Sequence, residues 1–282
     1  MKLEFPVEQT VKARYSVRTY EERPLSAQAK KQINDYIADL SNPFSVNVSF
    51  RLLEAKSAAN TEKLGTYGMI KGAKDFIGST VHDSEFALEA LGYDFENLIL
   101  YAAHLGLGTC WLGGTFNRSE FAAAMNVKEN ELFPAISPIG YPAPKKRLAE
   151  SVMRKVVKAD QRKDWNTLFF KNNFTVPLEK SDAGAYAFPL EMLRLAPSAS
   201  NKQPWRIVLS ENALHFYEAK APGYSDRAAY DIQKVDIGIG ACHFHLAALE
   251  KGLSGKFEKL PEPKTAAPEN THYIFSWVPA QI

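Results

Sequence analysis

The feature that most constrains the fold of this sequence is a helix end that recurs at a fixed spacing. Residues 102–107, Ala-Ala-His-Leu-Gly-Leu, align with residues 248–253, Ala-Leu-Glu-Lys-Gly-Leu, at an offset of 146 positions. Residues 11–13 and 157–159 both read Val-Lys-Ala and share that offset. Chance is the alternative, but two distant matches on one offset favour two related halves. We expect halves at 1–150 and 151–282 that together form one globular unit.

Composition excludes several functional classes. The chain of 282 residues carries 34 Lys and Arg against 32 Asp and Glu, and 45% of its residues are hydrophobic. These values are ordinary for a folded protein, and the net charge of +2 gives no reason to expect a nucleic-acid ligand. The two cysteines, Cys110 and Cys242, cannot form a disulfide framework, which favours a reducing, cytoplasmic location.

Residues 98–117 contain no charged side chain, a length that raises the question of a membrane span. Four glycines interrupt the stretch, so we expect a buried helix that runs into a glycine turn and no association with membranes. The N-terminus has an acid and a proline where a signal peptide needs an apolar run.

Hydrophobic periodicity gives the expected elements. The apolar helices 84–105 and 235–251 are expected to be central, and Ser26 is expected to cap the second helix. The full set of predicted helices is 6–13, 26–40, 84–105, 119–125, 160–170, 189–195 and 235–251. The predicted strands are 46–52, 73–81, 135–141, 206–209, 213–217 and 271–278, of which 206–209 and 213–217 form a hairpin.

Several familiar sites are excluded. The segments that begin at Gly106 and Gly238 lack the third glycine of a dinucleotide fingerprint and do not follow a strand. His243 and His245 are two residues apart on a predicted helix, so they point to different faces and cannot both bind one metal. We expect no metal, and we assign no catalytic side chain.

Three segments remain as candidates for chemistry. The first is Arg14-Tyr15-Ser16-Val17-Arg18, in which two guanidinium groups and a hydroxyl can converge on a phosphate. Arginines on a solvated helix end are the alternative explanation.

The second segment is the loop at residues 196–205, Ala-Pro-Ser-Ala-Ser-Asn-Lys-Gln-Pro-Trp. Its small and amide side chains between two prolines can read the polar edge of a flat heterocycle, and a structural turn is the alternative. The third segment, residues 106–114, is rich in glycine, which lets backbone N–H groups approach a ligand closely. A tight exit from a helix would also explain it. Lys145-Lys146-Arg147 could add cations near a phosphate or form a solvated basic turn.

Together these segments resemble the FMN-dependent nitroreductase family. Residues 14–18 are similar to its R-x-S-x-R phosphate motif, and residues 196–205 to its P-S-x-x-N-x-Q-P-W loop. Residues 98–114 resemble its central helix and glycine turn, and residues 139–142 its closing strand. In ordinary members the P-S-x-x-N loop closely follows the phosphate motif, and two subunits share each FMN. Here the loop lies in the second half, as in the tandem-fused subfamily of nitroreductases.

The resemblance implies an α+β fold, with a central mixed sheet flanked by helices and two pseudo-symmetric, interlocked halves. It implies that a monomer can serve as its own pseudo-dimer, with the phosphate motif and the N5 side of the flavin in half one and the pyrimidine-edge loop in half two. Gly113 replaces a glutamate that is usual in the family. The residues that the resemblance assigns to FMN are Arg14, Tyr15, Ser16, Arg18, Leu64, Thr66, Gly113, Gly114, Lys145, Arg147, Pro197, Ser198, Ala199 and Asn201.

The implied activity is an oxidoreductase in which NAD(P)H reduces FMN and a small-molecule acceptor, such as a nitroaromatic or a quinone, then takes two electrons in a ping-pong cycle. One alternative is a non-catalytic flavin-binding or storage protein. Another is a different flavin reaction on the same scaffold, such as reductive dehalogenation.

Overall fold

The computed structural model describes residues 3–55, 64–144, 161–224, 230–261, 263 and 265–280. The chain divides into two compact units, Lys12–Ala159 and Met1–Val11 with Asp160–Ile282. The N-terminal residues therefore pack with the second half of the sequence. The main-chain N–H of Val7 donates to Glu250 Oε1 at 2.6 Å, which ties the first turn of a helix to the end of another. The predicted halves at 1–150 and 151–282 stay a prediction.

The unit Lys12–Ala159 contains a five-stranded antiparallel sheet. The strands lie in the order β1-β2-β5-β3, and β4 pairs with β2. In chain order its elements are α2 (Ala27–Asp39), β1 (Val48–Glu54), β2 (Asp75–His82), α3 (Ala87–His104), β3 (Gly108–Thr109), α4 (Arg118–Met125), β4 (Glu131–Leu132) and β5 (Ile136–Gly140), preceded by α1 (Val7–Ala13), which begins in the other unit.

The other unit contains a five-stranded mixed sheet in the order β6-β7-β8-β10-β9. Only the β6–β7 pair is parallel among its described strands. Its elements are α5 (Trp165–Leu168), β6 (Phe169–Lys171), α6 (Ala187–Leu195), β7 (Trp205–Leu209), β8 (Leu214–Ala219), α7 (Gln233–Glu250), β9 (Gly255–Glu258) and β10 (Thr271–Pro279), with short 3₁₀ turns at Gly184–Tyr186 and Ala199–Asn201.

The two units share one strand topology. In each, an antiparallel hairpin is followed by a long buried helix, and the last strand inserts between the hairpin and the strand that directly follows the helix. The order β1-β2-β5-β3 thus corresponds to β7-β8-β10-β9. The α+β class is confirmed, and the strands form two sheets, one in each unit.

The long helices α3 and α7 also match residue by residue. Both contain 18 residues, and their bounds differ by the offset found in the sequence. The N–H of Leu107 bonds the carbonyl of Ala102 at 2.9 Å, and that of Leu253 bonds Ala248 at the same distance. A glycine with φ of +76° or +70° makes each of these left-handed helix ends possible. The aligned segments therefore share a conformation, whereas a common origin of the halves stays a prediction.

Most predicted elements are found within a few residues of their predicted bounds. Ser26 caps α2 by accepting a hydrogen bond from the N–H of Ala29, as predicted. The hairpin of β7 and β8 is also confirmed. Among the described residues, no helix is long and apolar enough to cross a membrane.

The prediction of a helix over 160–170 is wrong for most of its length. The helix covers only Trp165–Leu168, and the chain then turns into β6. Phe169 is fully buried opposite Ile207 in a parallel pairing, so tertiary burial and strand pairing outweigh the local helical pattern. Sequence analysis also missed β9, where Gly255 admits the ring of Trp277: a Cβ there would lie 2.6 Å from the indole.

Gly72 and Gly68 give a matched test of backbone packing. Both have positive φ, of +85° and +75°, but a Cβ on Gly72 would lie 2.2 Å from the carbonyl oxygen of Tyr20, whereas Gly68 faces open space. We expect Gly68→Ala to lower the free energy of unfolding by about 1–2 kcal/mol, the cost of left-handed backbone for an L residue. In urea denaturation, Gly72→Ala should lower the free energy of unfolding clearly more than Gly68→Ala does. Equal losses would show that the approach of Tyr20 adds nothing.

Candidate functional site

The predicted phosphate motif lies in an extended segment that begins where α1 ends. The N–H of Val17 bonds the carbonyl of Thr109 in β3 at 2.8 Å, and Ser16 pairs with Thr109 in a parallel bridge. On its other side the segment bonds Lys71, whose N–H donates to the carbonyl of Arg18 at 2.9 Å. The motif is therefore held as an additional strand. The alternative of arginines on a solvated helix end is wrong, because Arg18 lies well beyond the helix.

Glycines let this segment approach the sheet. A Cβ on Gly108 would lie 2.8 Å from Val17 Cγ2, and one on Gly140 would lie 3.2 Å from the ring of Tyr20. Val17 and Tyr20 are both buried. At least one glycine of the predicted glycine turn is thus required for packing of the motif, in addition to any contact with a ligand.

Arg14, Ser16 and Arg18 are alternate residues of this segment, and all three are partly buried. The side chain of Arg14 is 7% exposed, and its Nε lies 3.7 Å from Glu96 Oε1. The buried Nε and Nη1 of Arg18, like the Nε of Arg14, have no hydrogen-bond partner among the described residues. Buried donors of a charged group are costly unless they are paired. These buried nitrogens therefore need an acceptor that the described residues do not supply.

Glu96 is the central organising residue of this unit. Its side chain is fully buried in α3, and it accepts a hydrogen bond of 2.6 Å from Trp111 Nε1 while it faces Arg14. One carboxylate thus connects the motif to the segment that leads into the glycine turn. Sequence analysis missed Glu96, although a single acid just before the uncharged stretch 98–117 was a usable signal.

The glycine turn and the residues around Leu64 both form hydrogen bonds with the first turn of α4. The carbonyl of Gly113 accepts a bond of 2.8 Å from Arg118 Nη2, and nothing lies within 4 Å of the Cβ position of Gly114. The N–H of Gly65 donates to Glu120 Oε2 at 3.0 Å. Sequence analysis did not single out α4, yet its first turn positions both segments.

Leu64 and Thr66 have structural contacts of their own. Leu64 packs, partly buried, against the apolar cluster that includes Phe76 and Phe121. Thr66 is buried, and its hydroxyl accepts a long bond of 3.4 Å from the N–H of Ile70. The other predicted cations, Lys145 and Arg147, lie outside the described residues.

The predicted loop 196–205 belongs to the other unit, where its own side chains hold it. Ser198 Oγ accepts from the N–H of Gln203 at 2.8 Å, and Asn201 Nδ2 donates to the carbonyl of Gln161 at 3.0 Å. Ser200, Asn201 and Gln203 all have φ near +50°, a conformation that costs free energy in residues other than glycine. These contacts match the structural-turn alternative, and contact with a ligand stays a prediction.

Asp236 anchors the same loop from α7. It is 2% exposed and accepts a bond of 2.9 Å from the N–H of Ala199. Burial raises the pKa of its carboxyl group to about 8, so the group is largely protonated at neutral pH. Sequence analysis missed this residue, because an acid in the first turn of a helix is an ordinary surface feature.

Comparison with known proteins places the chain in a family. The sequence profile described as "Putative TM nitroreductase" matches residues 6–248. The chain belongs to this family. The sequence-based resemblance to nitroreductases is therefore confirmed. No curated protein matches the chain.

One solved structure supports the nitroreductase fold, and two others match about half of the chain. The crystal structure of "a putative nitroreductase" from Thermotoga maritima covers 99% of this chain and 95% of its own, with 18% identity and a TM-score of 0.62. An FMN complex of a family protein from Desulfovibrio desulfuricans covers 53% of this chain and 96% of its own, with 26% identity and a TM-score of 0.40. An "FMN-dependent Nitroreductase" from Clostridium difficile covers 49% and 88%, with 19% identity and a TM-score of 0.40.

Within this nitroreductase-family protein, the predicted site residues fall into two sets. The unit Lys12–Ala159 holds the phosphate motif, Leu64, Thr66 and the glycine turn. The unit that includes Asp160–Ile282 holds Pro197, Ser198, Ala199 and Asn201. The first set is linked by Glu96, β3 and α4, and the second set by Gln203 and Asp236.

The buried acid Asp236 predicts a measurable dependence of stability on pH. Between pH 4 and 8 it is protonated in the folded state but ionised in the unfolded chain, so stability should fall as pH rises through this window. Asp236→Asn keeps the acceptor oxygen and removes the titration. In chemical denaturation, the free energy of unfolding of the variant should rise relative to that of the wild type from pH 5 to pH 8, by at most about 1.4 kcal/mol per pH unit.

Asp182→Asn is the matched control, because Asp182 is half exposed and pairs with Lys171. Its stability relative to the wild type should not rise over the same window. Parallel curves for Asp236→Asn and the wild type would show that Asp236 is ionised in the folded protein.

Proposed function

We propose that this protein is an FMN-dependent oxidoreductase. The observation that carries the proposal is the pair of buried Arg18 nitrogens that have no hydrogen-bond partner among the described residues, in a segment that also contains Arg14 and Ser16. A phosphate monoester supplies the missing acceptors and negative charge, so these residues fit the phosphate of FMN. Membership of the nitroreductase family and the FMN named for two similar structures support the choice of cofactor.

Bound FMN would supply redox chemistry, taking two electrons from NAD(P)H and passing them to a small-molecule acceptor such as a nitroaromatic or a quinone. The protein's own residues supply binding and orientation. Arg14 and Arg18 bind the phosphate, and Glu96 keeps Arg14 in place through its buried carboxylate. The open space at Gly114 leaves the backbone of that turn accessible to a flavin ring.

We also propose that Pro197, Ser198, Ala199 and Asn201 contact the pyrimidine edge of a flavin. The loop is held by Gln203 and Asp236 in the protein alone, so little ordering entropy would be lost on binding. Hydroxyl and amide groups can match the N3–H donor and the carbonyl acceptors of that edge.

The setting of the reaction is part of the proposal. We propose a cytoplasmic protein that can act as a monomer and reduces its acceptor in a ping-pong cycle. Both cysteines are buried and neither is in a disulfide, which suits a reducing compartment. Anaerobic bleaching of the flavin by NADH or NADPH tests the catalytic assignment, because a storage protein would keep its flavin oxidised.

Substitution of Arg18 tests the phosphate assignment. Arg18→Ala should weaken FMN binding by about 1.5–3 kcal/mol, the contribution of a charge-assisted hydrogen bond, as measured by fluorescence titration. Riboflavin, which lacks the phosphate, should bind the variant and the wild type equally. Arg23→Ala is the control, because Arg23 is exposed and already paired with Glu21. Equal losses for FMN and riboflavin would mean that Arg18 acts only on the fold.

Substitution of Asn201 tests the loop. Asn201→Leu should weaken the binding of both FMN and riboflavin by about 1–3 kcal/mol, because an apolar group would face a polar ring edge. Ser200→Ala is the control in the same loop, since the Ser200 hydroxyl contacts Tyr224 on the exposed side. A variant that loses stability but keeps its flavin affinity would show that Asn201 is only a turn residue.

A further inference from the structure

Two cationic side chains, Lys163 and Arg206, meet at the base of the loop 196–205, and the neighbouring Lys202 completes the cluster considered below. Lys163 Nζ donates to the main-chain carbonyl of Gln203 at 3.4 Å, and Arg206 Nη1 donates to the same oxygen at 3.1 Å. Two cationic nitrogens therefore lie within 3.4 Å of one oxygen atom. Lys202 lies in the same loop, and its Nζ is 5.6 Å from the centre of the Tyr224 ring.

This cluster lacks, among the described residues, the carboxylate partner that several other cations of the unit have. Lys163, Lys202 and Arg206 form no ion pair with a carboxylate among the described residues. By contrast, carboxylates pair with Lys171, Lys180, Arg194, Lys220 and Lys256.

The charges in the cluster act on one another. Burial together with Arg206 and Lys202 lowers the pKa of Lys163 to about 8, and burial lowers the pKa of Arg206. Gathering like charges in a partly buried place is unfavourable unless an anion joins them. The main chain around them is fixed in advance, because the Gln203 side chain is buried and its Oε1 accepts from the N–H of Lys163 at 2.8 Å.

We infer that Lys163, Lys202 and Arg206 form a binding site for a phosphate group. A guanidinium group and two ammonium groups match the charge and the several acceptor oxygens of a phosphate better than those of a single carboxylate. The inference does not depend on the proposed flavin chemistry, since it uses none of the residues assigned to FMN. The phosphate can be free or carried by a nucleotide.

The test uses the whole protein and measures the reactivity of Lys163 itself. Acylation of individual lysines is followed by mass spectrometry at pH 8, while inorganic phosphate is added at constant ionic strength. Bound phosphate should raise the pKa of Lys163 and shield it, so that its acylation slows severalfold. Lys171, which pairs with Asp182, is the internal reference and should label at a constant rate.

Two variants define the site. Lys202→Gln and Arg206→Gln should each raise the phosphate concentration that half-protects Lys163 by about tenfold or more. Lys202→Gln keeps the test decisive if Arg206→Gln does not fold, because the Lys202 side chain is exposed and the substitution keeps the main-chain bond from its N–H to Ala199. Lys180→Gln removes a cation that pairs with Glu191, and it should leave the half-protecting phosphate concentration unchanged.

Competing ligands identify the source of the phosphate. Protection by NADPH at lower concentration than by NADH would assign a dinucleotide phosphate monoester, and protection by FMN but not riboflavin would assign the flavin phosphate. Protection by inorganic phosphate alone would assign the free ion. Labelling of Lys163 that none of these ligands changes, or that acetate slows equally well, would overturn the inference. Loss of flavin binding in Arg18→Ala tests the proposed function separately.

Discussion

The arrangement of the phosphate-motif unit depends on the burial of one carboxylate, Glu96. Moving a carboxylate out of water costs several kcal/mol, and the cost is offset only by close donors and opposite charge. Glu96 has both, in the indole N–H of Trp111 and the guanidinium group of Arg14. Because these partners come from segments on either side of α3 in the sequence, satisfying one buried charge fixes the position of the motif and of the chain that enters the glycine turn.

A similar arrangement recurs in the other unit. Asp236 in α7 bonds the main chain of the loop 196–205, as Glu96 in α3 bonds groups outside its helix. The difference lies in the charge of the partner. Glu96 faces a guanidinium group, whereas Asp236 accepts from a neutral amide and is protonated near neutral pH. Each central helix thus carries an internal acid whose partners lie in a loop or an extended segment.

Sequence analysis recovered the elements whose pattern is local. The long apolar stretches of α3 and α7 and the alternation of β1 gave helices and strands close to their observed bounds. It failed at residues 160–170, where the pairing of Phe169 with Ile207 comes from a segment almost forty positions away. The assignment of strands to two sheets likewise depends on pairing, which no local pattern specifies.

For the candidate site, the motifs were visible in the sequence but their supports were not. Arg14, Ser16 and Arg18 were found by spacing, whereas Glu96, Arg118 and Gln203 act through partners that are distant in sequence or adopt unusual backbone angles. Nothing in the sequence singles out the cations Lys163 and Arg206. Only the shared carbonyl of Gln203 shows that they lie together.

The attachment of the N-terminal residues to the second half has a consequence for how the chain is made. Val7 and Glu8 are synthesised 243 and 242 positions before Glu250, which accepts their N–H groups. The sequence between them includes the whole of the unit Lys12–Ala159. The N–H groups of Val7 and Glu8 can therefore bond this carboxylate only after that whole unit has been synthesised, and the contact closes a loop whose entropic cost grows with its length.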